Sequence, residues 1–132
     1  MSAFPGLAHV AVTVSDPDVS VPWYARLIGT DPVLDEDTGP FRHIVFAVGG
    51  QLLGLHVFPG DRPDGGPFRP DRPGLDHVSF ASPDRADLEK WQRRLDELGI
   101  AHGQIFDASY GSGLSFRDPD GIALEFFAPP AS

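Results

Sequence analysis

The stretch Leu75-Asp76-His77-Val78 is a second version of Leu7-Ala8-His9-Val10, and this duplication decides the fold. In both copies a tryptophan comes 14 residues after the histidine: Trp23 follows His9 (23 − 9) and Trp91 follows His77 (91 − 77). Matching residues at matching intervals indicate an internal repeat. The chain is therefore expected to contain two related structural units.

The two copies also end alike. Leu55-His56-Val57-Phe58 closes the first, and Leu124-Glu125-Phe126-Phe127 closes the second. His56 lies 47 residues after His9 (56 − 9), and Glu125 lies 48 after His77 (125 − 77). Each unit of about 50 residues thus carries a metal-ligand type of side chain near both ends.

These four residues, His9, His56, His77 and Glu125, are the predicted metal ligands. Side chains alternate between the two faces of a strand. Aligning the closing strands therefore places His56 and Glu125 on equivalent faces, and aligning the opening strands does the same for His9 and His77. Three imidazoles and one carboxylate suit a divalent Fe, Ni, Co, Zn or Mn ion. The alternative interpretation is that the histidines lie in the core and that Glu125 is an exposed strand residue.

The composition excludes several classes of function. The 132 residues carry a formal net charge of −9, so nucleic acid and anionic membrane surfaces are not expected partners. The absence of cysteine excludes thiolate ligands, disulfides and cysteine nucleophiles. The sequence shows neither a signal peptide nor the roughly 20 apolar residues of a membrane span. A single domain over residues 1–132 and a cytoplasmic location are therefore expected.

Module one, about residues 7–58, is predicted to run strand, helix and three strands. Leu7 to Val14 is rich in β-branched residues, which is typical of a strand. A short helix is expected from Ser20 to Ile28, because Pro22 is tolerated only in a first turn. The other strands are expected at residues 31–37, 41–48 and 51–58, with Gly49-Gly50 as a hairpin turn.

Module two, about residues 75–128, repeats this order after a linker at 59–74. The linker contains five prolines and four glycines without a periodic pattern. Ser82 is the expected N-cap of the second helix, with Pro83 at its first position. The strands are expected at residues 75–81, 101–106, 113–117 and 122–127, with Asp118-Pro119-Asp120-Gly121 as the last hairpin turn.

The repeated βαβββ order, the run Gly74 to Val78 and the run Phe116 to Glu125 with its Asp-Pro-Asp-Gly turn resemble the vicinal oxygen chelate superfamily. That superfamily includes glyoxalase I, methylmalonyl-CoA epimerase, extradiol dioxygenases and bleomycin and fosfomycin resistance proteins. The resemblance covers about residues 7–128. It implies an α+β fold in which two βαβββ modules form a cupped mixed sheet, with the helices outside and a metal in the cup.

The candidate catalytic residues are Glu125, His56 and Tyr110. The corresponding strand of glyoxalase I commonly supplies a carboxylate that doubles as a base, whereas His56 stands there in this chain. Two histidines and a glutamate are also the ligand set of extradiol dioxygenases. Tyr110, in a Gly- and Ser-rich loop, is a candidate proton or hydrogen-bond donor, with an ordinary loop aromatic as the alternative. His43 is a candidate acid or base, with a surface or core role as the alternative.

The sequence thus predicts a metal-dependent lyase or isomerase that acts on a small oxygen-rich substrate chelated to the metal. The alternatives are an extradiol-type ring-cleaving dioxygenase and a metal-free small-molecule binding or antibiotic resistance protein. A homodimer is expected, because such half-barrel units leave sheet edges and apolar helix faces to cover.

Overall fold

The structure is a computed structural model that describes residues 3–60 and 66–131. The chain divides into two compact units, Met1–Gly65 and Gly66–Ser132, which correspond to modules one and two. Each unit runs βαβββ and holds one four-stranded mixed sheet, as predicted. The single-domain organisation over residues 1–132 stays a prediction.

Module one is a sheet in the order β1-β4-β3-β2. The first strand lies parallel to the last one of the module, and the other neighbours are antiparallel. The elements are β1 (His9–Thr13), α1 (Pro17–Ile28), β2 (Leu34–Asp37), β3 (Arg42–Val48) and β4 (Gln51–Val57).

The core of module one lies on one face of this sheet. Tyr24 of α1 is fully buried and its ring contacts that of Phe46, with 6.3 Å between the centroids. Alternation along β3 places His43 on the opposite, helix-free face. The completely buried side chains of the sheet are Ile44, Phe46, Leu53 and Leu55.

Helix α1 begins three residues earlier than predicted, at Pro17. The Asp16 side chain accepts a hydrogen bond from the backbone N–H of Asp18 at 2.9 Å and so caps the helix before Pro17. Pro22 consequently lies inside the helix, and the prediction that confined it to the first turn is wrong. The helix ends at Gly29, whose φ of 88° lies in the left-handed region.

Module two has the same topology, with the strand order β5-β8-β7-β6. Leu88 and Leu95 of its helix are fully buried, and Trp91 stacks on Phe126 with 4.0 Å between ring centroids. The predicted apolar face of this helix is therefore confirmed. The elements are β5 (Val78–Ala81), α2 (Arg85–Glu97), β6 (Phe106–Ala108), β7 (Gly111–Arg117) and β8 (Ala123–Ala128).

The N-cap of α2 is Asp84, and the prediction of Ser82 is wrong. The backbone N–H of Ser82 donates to the carbonyl of Phe127 at 2.8 Å, so Ser82 still continues the pairing of β5 with β8. The Asp84 side chain accepts from the backbone N–H of Asp87 at 2.9 Å, as an N-cap does.

The strand predicted at residues 101–106 is also displaced, because β6 begins only at Phe106. His102 forms an isolated bridge to Phe116 instead. Its ring bonds locally, with Nδ1 2.8 Å from the Gly103 carbonyl and Nε2 2.7 Å from Oδ1 of Asp96. These local bonds hold the segment against the end of α2.

The hairpin predicted at Asp118 to Gly121 is confirmed and positions β8. Oδ1 of Asp118 accepts from the backbone N–H groups of Asp120 at 2.9 Å and Ile122 at 2.8 Å. Gly121 has a φ of 79°, which favours glycine. In the described ranges, no helix is long and apolar enough to cross a membrane.

Candidate functional site

Module two brings two of the predicted metal ligands together. Strands β5 and β8 are parallel, and Ser79 is the register partner of Glu125. His77 lies two residues before Ser79, so its side chain projects on the same face as Glu125. Nε2 of His77 is 3.3 Å from Oε1 of Glu125. The pair is accessible, with 44% of the His77 side chain and 22% of the Glu125 side chain exposed.

Asp76 fixes the other ring nitrogen of His77. Its Oδ1 lies 2.8 Å from Nδ1 of His77, and an ionised carboxylate can only accept there. This hydrogen bond, followed by the negative charge of Glu125, raises the pKa of His77 above its ordinary value although burial opposes the shift. A proton held on Nδ1 leaves Nε2, the nitrogen nearer Glu125, as the unprotonated nitrogen of a neutral ring. Asp76 was not among the predicted site residues, although its position next to a predicted ligand was a signal.

Gly113 makes room for the Glu125 carboxylate. A Cβ atom at position 113 would lie 3.2 Å from Oε2 of Glu125, which is tighter than an ordinary contact. Leu124 and Phe126, on either side of Glu125, are buried on the opposite face. The carboxylate therefore stands on the helix-free face of the sheet, beside a position that has no side chain.

The strand register corrects the predicted equivalence of His56 and Glu125. In module two, Glu125 is the partner of the residue two places after His77. In module one, the residue two places after His9 is Ala11, and its partner is Gly54. Gly54 is therefore the counterpart of Glu125. Leu55-His56 and Leu124-Glu125 match in sequence, but the pairing between strands places them two residues out of register.

Module one does not bring His9 and His56 together. His9 is paired with Leu52, four residues before His56, which is a separation of about 13 Å along the strand. Over residues 3–60 and 66–131, no three His, Cys, Asp or Glu side chains are placed so that they could hold a metal ion. The described contact between predicted ligands is thus the pair His77 and Glu125, and His9 as a further ligand stays a prediction.

His56 lies instead in an aromatic environment. Its ring stacks on Phe41 with 4.5 Å between centroids, and the ring of His43 is 6.0 Å away. Nε2 of His43 lies 3.6 Å from Oε1 of Glu36. His43, a candidate acid or base from the sequence, is thus a neighbour of His56.

Tyr110 lies on the same face of module two as Glu125. Its ring stacks on Phe127 with 6.3 Å between centroids, and Phe127 follows Glu125 by two residues. The tyrosine is 68% exposed. Gly111 has a φ of 143°, and a Cβ there would lie 2.4 Å from Cζ of Phe127, so only glycine admits this ring. The loop therefore holds an accessible phenol that stacks on Phe127, on the same face of the sheet as the Glu125 carboxylate.

A protein-family model matches most of the chain. The model described as the Glyoxalase/Bleomycin resistance protein/Dioxygenase superfamily matches residues 6–126. The chain belongs to this superfamily. The resemblance predicted from the duplicated histidine and the Asp-Pro-Asp-Gly turn is therefore confirmed.

Individual members of the glyoxalase superfamily resemble the chain over most of its length. A solved glyoxylase/bleomycin resistance protein/dioxygenase domain from Frankia sp. EAN1pec is 30% identical, with a TM-score of 0.85 over 98% of this chain and 96% of that one. Metallothiol transferase FosB from Shouchella clausii is 32% identical over 91% of this chain and 77% of its own length. Putative ring-cleaving dioxygenase MhqA from Bacillus subtilis is 27% identical over 93% of this chain, which spans only 39% of MhqA.

Proposed function

We propose that the protein is a metal-dependent enzyme of the glyoxalase superfamily that chelates a small oxygen-rich substrate. The observation that carries the proposal is the contact of His77 with Glu125, in which Asp76 holds the second ring nitrogen of the histidine. A carboxylate behind a histidine is the usual support of a metal-bound imidazole.

The proposed ligands are His77 and Glu125 of module two and His9 of module one. This is a set of two histidines and one carboxylate, which suits a divalent ion and leaves coordination positions open for substrate oxygens. A bound divalent ion supplies Lewis-acid polarisation of those oxygens. His56 is left out of the set, because the register gives Gly54, not His56, as the counterpart of Glu125.

The chain's own residues then have separate tasks. Asp76 keeps the proton of His77 on Nδ1 and fixes the ring orientation. Glu125 contributes the negative charge, and Gly113 leaves space around its Oε2 atom. Tyr110 is proposed as the hydrogen-bond or proton donor to substrate, because its exposed phenol stacks on the ring two residues beyond Glu125.

A lyase or isomerase is the first reaction class proposed, with Glu125 as the carboxylate that moves a substrate proton. Ring-cleaving dioxygenation is the second, and one observation favours it. Module one has a glycine, Gly54, at the position equivalent to Glu125, so it offers no second carboxylate there to act as a separate base. The proposed ligand set of two histidines and one carboxylate is the one that non-haem iron oxygenases use. The similarity to MhqA agrees with this alternative. Oxygen uptake with catechols separates the two classes, since a lyase or isomerase consumes no oxygen.

Metal analysis of protein purified without chelators tests the proposal. We expect roughly one divalent ion per chain, and its loss in His77→Ala, Glu125→Ala and His9→Ala. His56→Ala is the matched control and should keep the metal. Unchanged metal content in both His77→Ala and Glu125→Ala would overturn the site. A cytoplasmic location and a homodimer complete the proposal.

A further inference from the structure

Arg85, the first residue of α2, binds Asp107 of β6 through two hydrogen bonds. Its Nε donates to Oδ1 of Asp107 at 2.7 Å, and its Nη2 donates to Oδ2 at 3.1 Å. The hydroxyl of Ser112 in β7 donates to the same Oδ1 at 2.6 Å. The bonds from the arginine and then from the serine lower the pKa of Asp107 to about 2, so the carboxylate is ionised at neutral pH. This carboxylate therefore joins α2 to both strands of the β6–β7 hairpin.

The strand β6 has little apolar packing of its own. It is an edge strand of three residues and is hydrogen-bonded to β7 on one side. Phe106 and Asp107 are exposed, and Ala108 is half-buried. Segments with few buried apolar contacts are the first to open locally. The orientation of β6 therefore depends on the bonds of Asp107.

Tyr110 lies in the two-residue turn of this hairpin. Its ring stacks on Phe127 with an angle of 14° between the ring planes, on the helix-free face of the sheet. Asp107 and Ser112 form a pair across the two strands close to the turn, and their bonds run to the first residue of α2 on the other face. The hairpin is thus held from the face opposite to the phenol.

We infer that Arg85 and Asp107 are positioning residues for Tyr110, because their ion pair holds the β6–β7 hairpin so that the phenol lies over Phe127. Both side chains are about half exposed, at 48% and 56%. An exposed ion pair adds little to stability, but a bidentate arginine–carboxylate pair fixes an orientation. That the positioned phenol serves the substrate rests on the proposed function, whereas the positioning itself does not.

NMR of protein labelled at tyrosine and phenylalanine tests the inference. The chain has two tyrosines, and Tyr24 is fully buried, so the signals of Tyr110 are readily distinguished. We expect the nuclear Overhauser signal between the rings of Tyr110 and Phe127 to weaken roughly two- to fivefold in Asp107→Ala, the range of one exposed ion pair. The signals of Tyr24 should stay in place, which shows that the core of module one is intact.

Two further variants test the same contact. Arg85→Ala should weaken the ring signal as much as Asp107→Ala does, and Ser112→Ala should weaken it less, because the ion pair remains. Glu89→Ala is the matched control. Glu89 also accepts a hydrogen bond from Arg85, through Nη1 at 3.1 Å, but it lies one turn further along α2 and not in the hairpin. Its removal should leave the signal between Tyr110 and Phe127 unchanged.

An unchanged ring signal in Asp107→Ala would overturn the inference, and so would equal weakening in Glu89→Ala. If Asp107→Ala disturbs the fold, Ser112→Ala decides, and an unchanged ring signal there would overturn the inference as well. Zn(II) binding separates this result from the proposed function. The Zn(II) affinity of Asp107→Ala should equal that of the parent chain, because His77 and Glu125 are untouched. A parent chain that binds no Zn(II) would contradict the metal site alone.

Discussion

Gly54 holds in module one the place that Glu125 holds in module two, since each is the parallel-strand partner of the residue two positions after a histidine. The two modules therefore differ in chemistry at an equivalent backbone position. A carboxylate at position 54 would give module one the ligand type that Glu125 gives module two.

Gly54→Glu should thus bind the metal more tightly and lose activity, because the new carboxylate competes with the substrate for a coordination position. Release of the metal to a chelator measures the first effect, and turnover measures the second. Gly54→Ala is the control, since its Cβ would lie 3.4 Å from the Cβ of Ala11, at the edge of ordinary contact. Identical metal release in the two variants would contradict the assigned equivalence.

Asp76→Asn should weaken metal binding by about 10- to 100-fold, the usual effect of removing the carboxylate behind a metal-bound histidine. The amide can turn its NH2 group toward Nδ1, so it no longer fixes the ring proton there. Competition with a fluorescent chelator measures the affinity, and circular dichroism checks the fold. Asp71→Asn, an exposed aspartate in the linker, should have no effect on the metal.

Gly113→Ala should reduce metal affinity with little change in stability. The added methyl group would meet Oε2 of Glu125 at 3.2 Å, and the flexible end of that side chain must move away. Gly103→Ala is matched to it, because a methyl group there meets the Ser115 carbonyl at an ordinary 3.8 Å. If both variants bind the metal as the parent chain does, Gly113 is not part of the site.

The free energy of unfolding should depend on pH through His102. Hydrogen bonds to the Gly103 carbonyl and then to Asp96 raise the pKa of His102 above its ordinary value of 6.5. The folded state favours the protonated ring, so this contribution is complete below about pH 6.5 and is lost as the pH rises through the higher folded-state pKa. Both partners are acceptors, and only the protonated ring can donate to both.

Chemical denaturation of His102→Gln between about pH 5 and pH 9 measures this contribution. The stability difference from the parent chain should be largest at the acidic end and shrink as the pH rises. Asp96→Asn should reduce the same dependence. A difference that is constant across this range would show that the ring does not titrate with folding.

A homodimer is expected, because each module leaves two sheet edges, β1 and β2 in module one and β5 and β6 in module two. Light scattering at micromolar concentration should give twice the chain mass of 14.2 kDa. A mass of one chain at that concentration would contradict the expectation.

The sequence predicted the fold well because its signals are local. The spacing of Leu88, Trp91 and Leu95 defines a helix face, and the Asp118 turn defines a hairpin, without knowledge of distant contacts. The errors arose where two local signals competed. Ser82 and Asp84 are both good caps, and only the bond of Ser82 to Phe127 on another strand decides between them.

The candidate site was predictable only in part. The contact of His77 with Glu125 follows from a repeat that the residues display. Whether His56 is the counterpart of Glu125 depends on which residues of β1 and β4 are paired. A shift of two residues along a strand keeps a side chain on the same face but moves it by about 7 Å. Alternation alone therefore assigned the correct face and the wrong counterpart.

The parallel pairing of the first and last strand in each module bears on the order of folding. The register joins His9 to Leu52, 43 residues apart (52 − 9), and Val78 to Leu124, 46 apart (124 − 78). The β3–β4 and β7–β8 hairpins close over short turns, so we expect them to form early, with β1 and β5 docking last because closing the longer loops costs more chain entropy. On a ribosome, neither sheet could be completed until its final strand had emerged. Until then β1 would stay an unpaired strand, and its histidine would have no fixed neighbours.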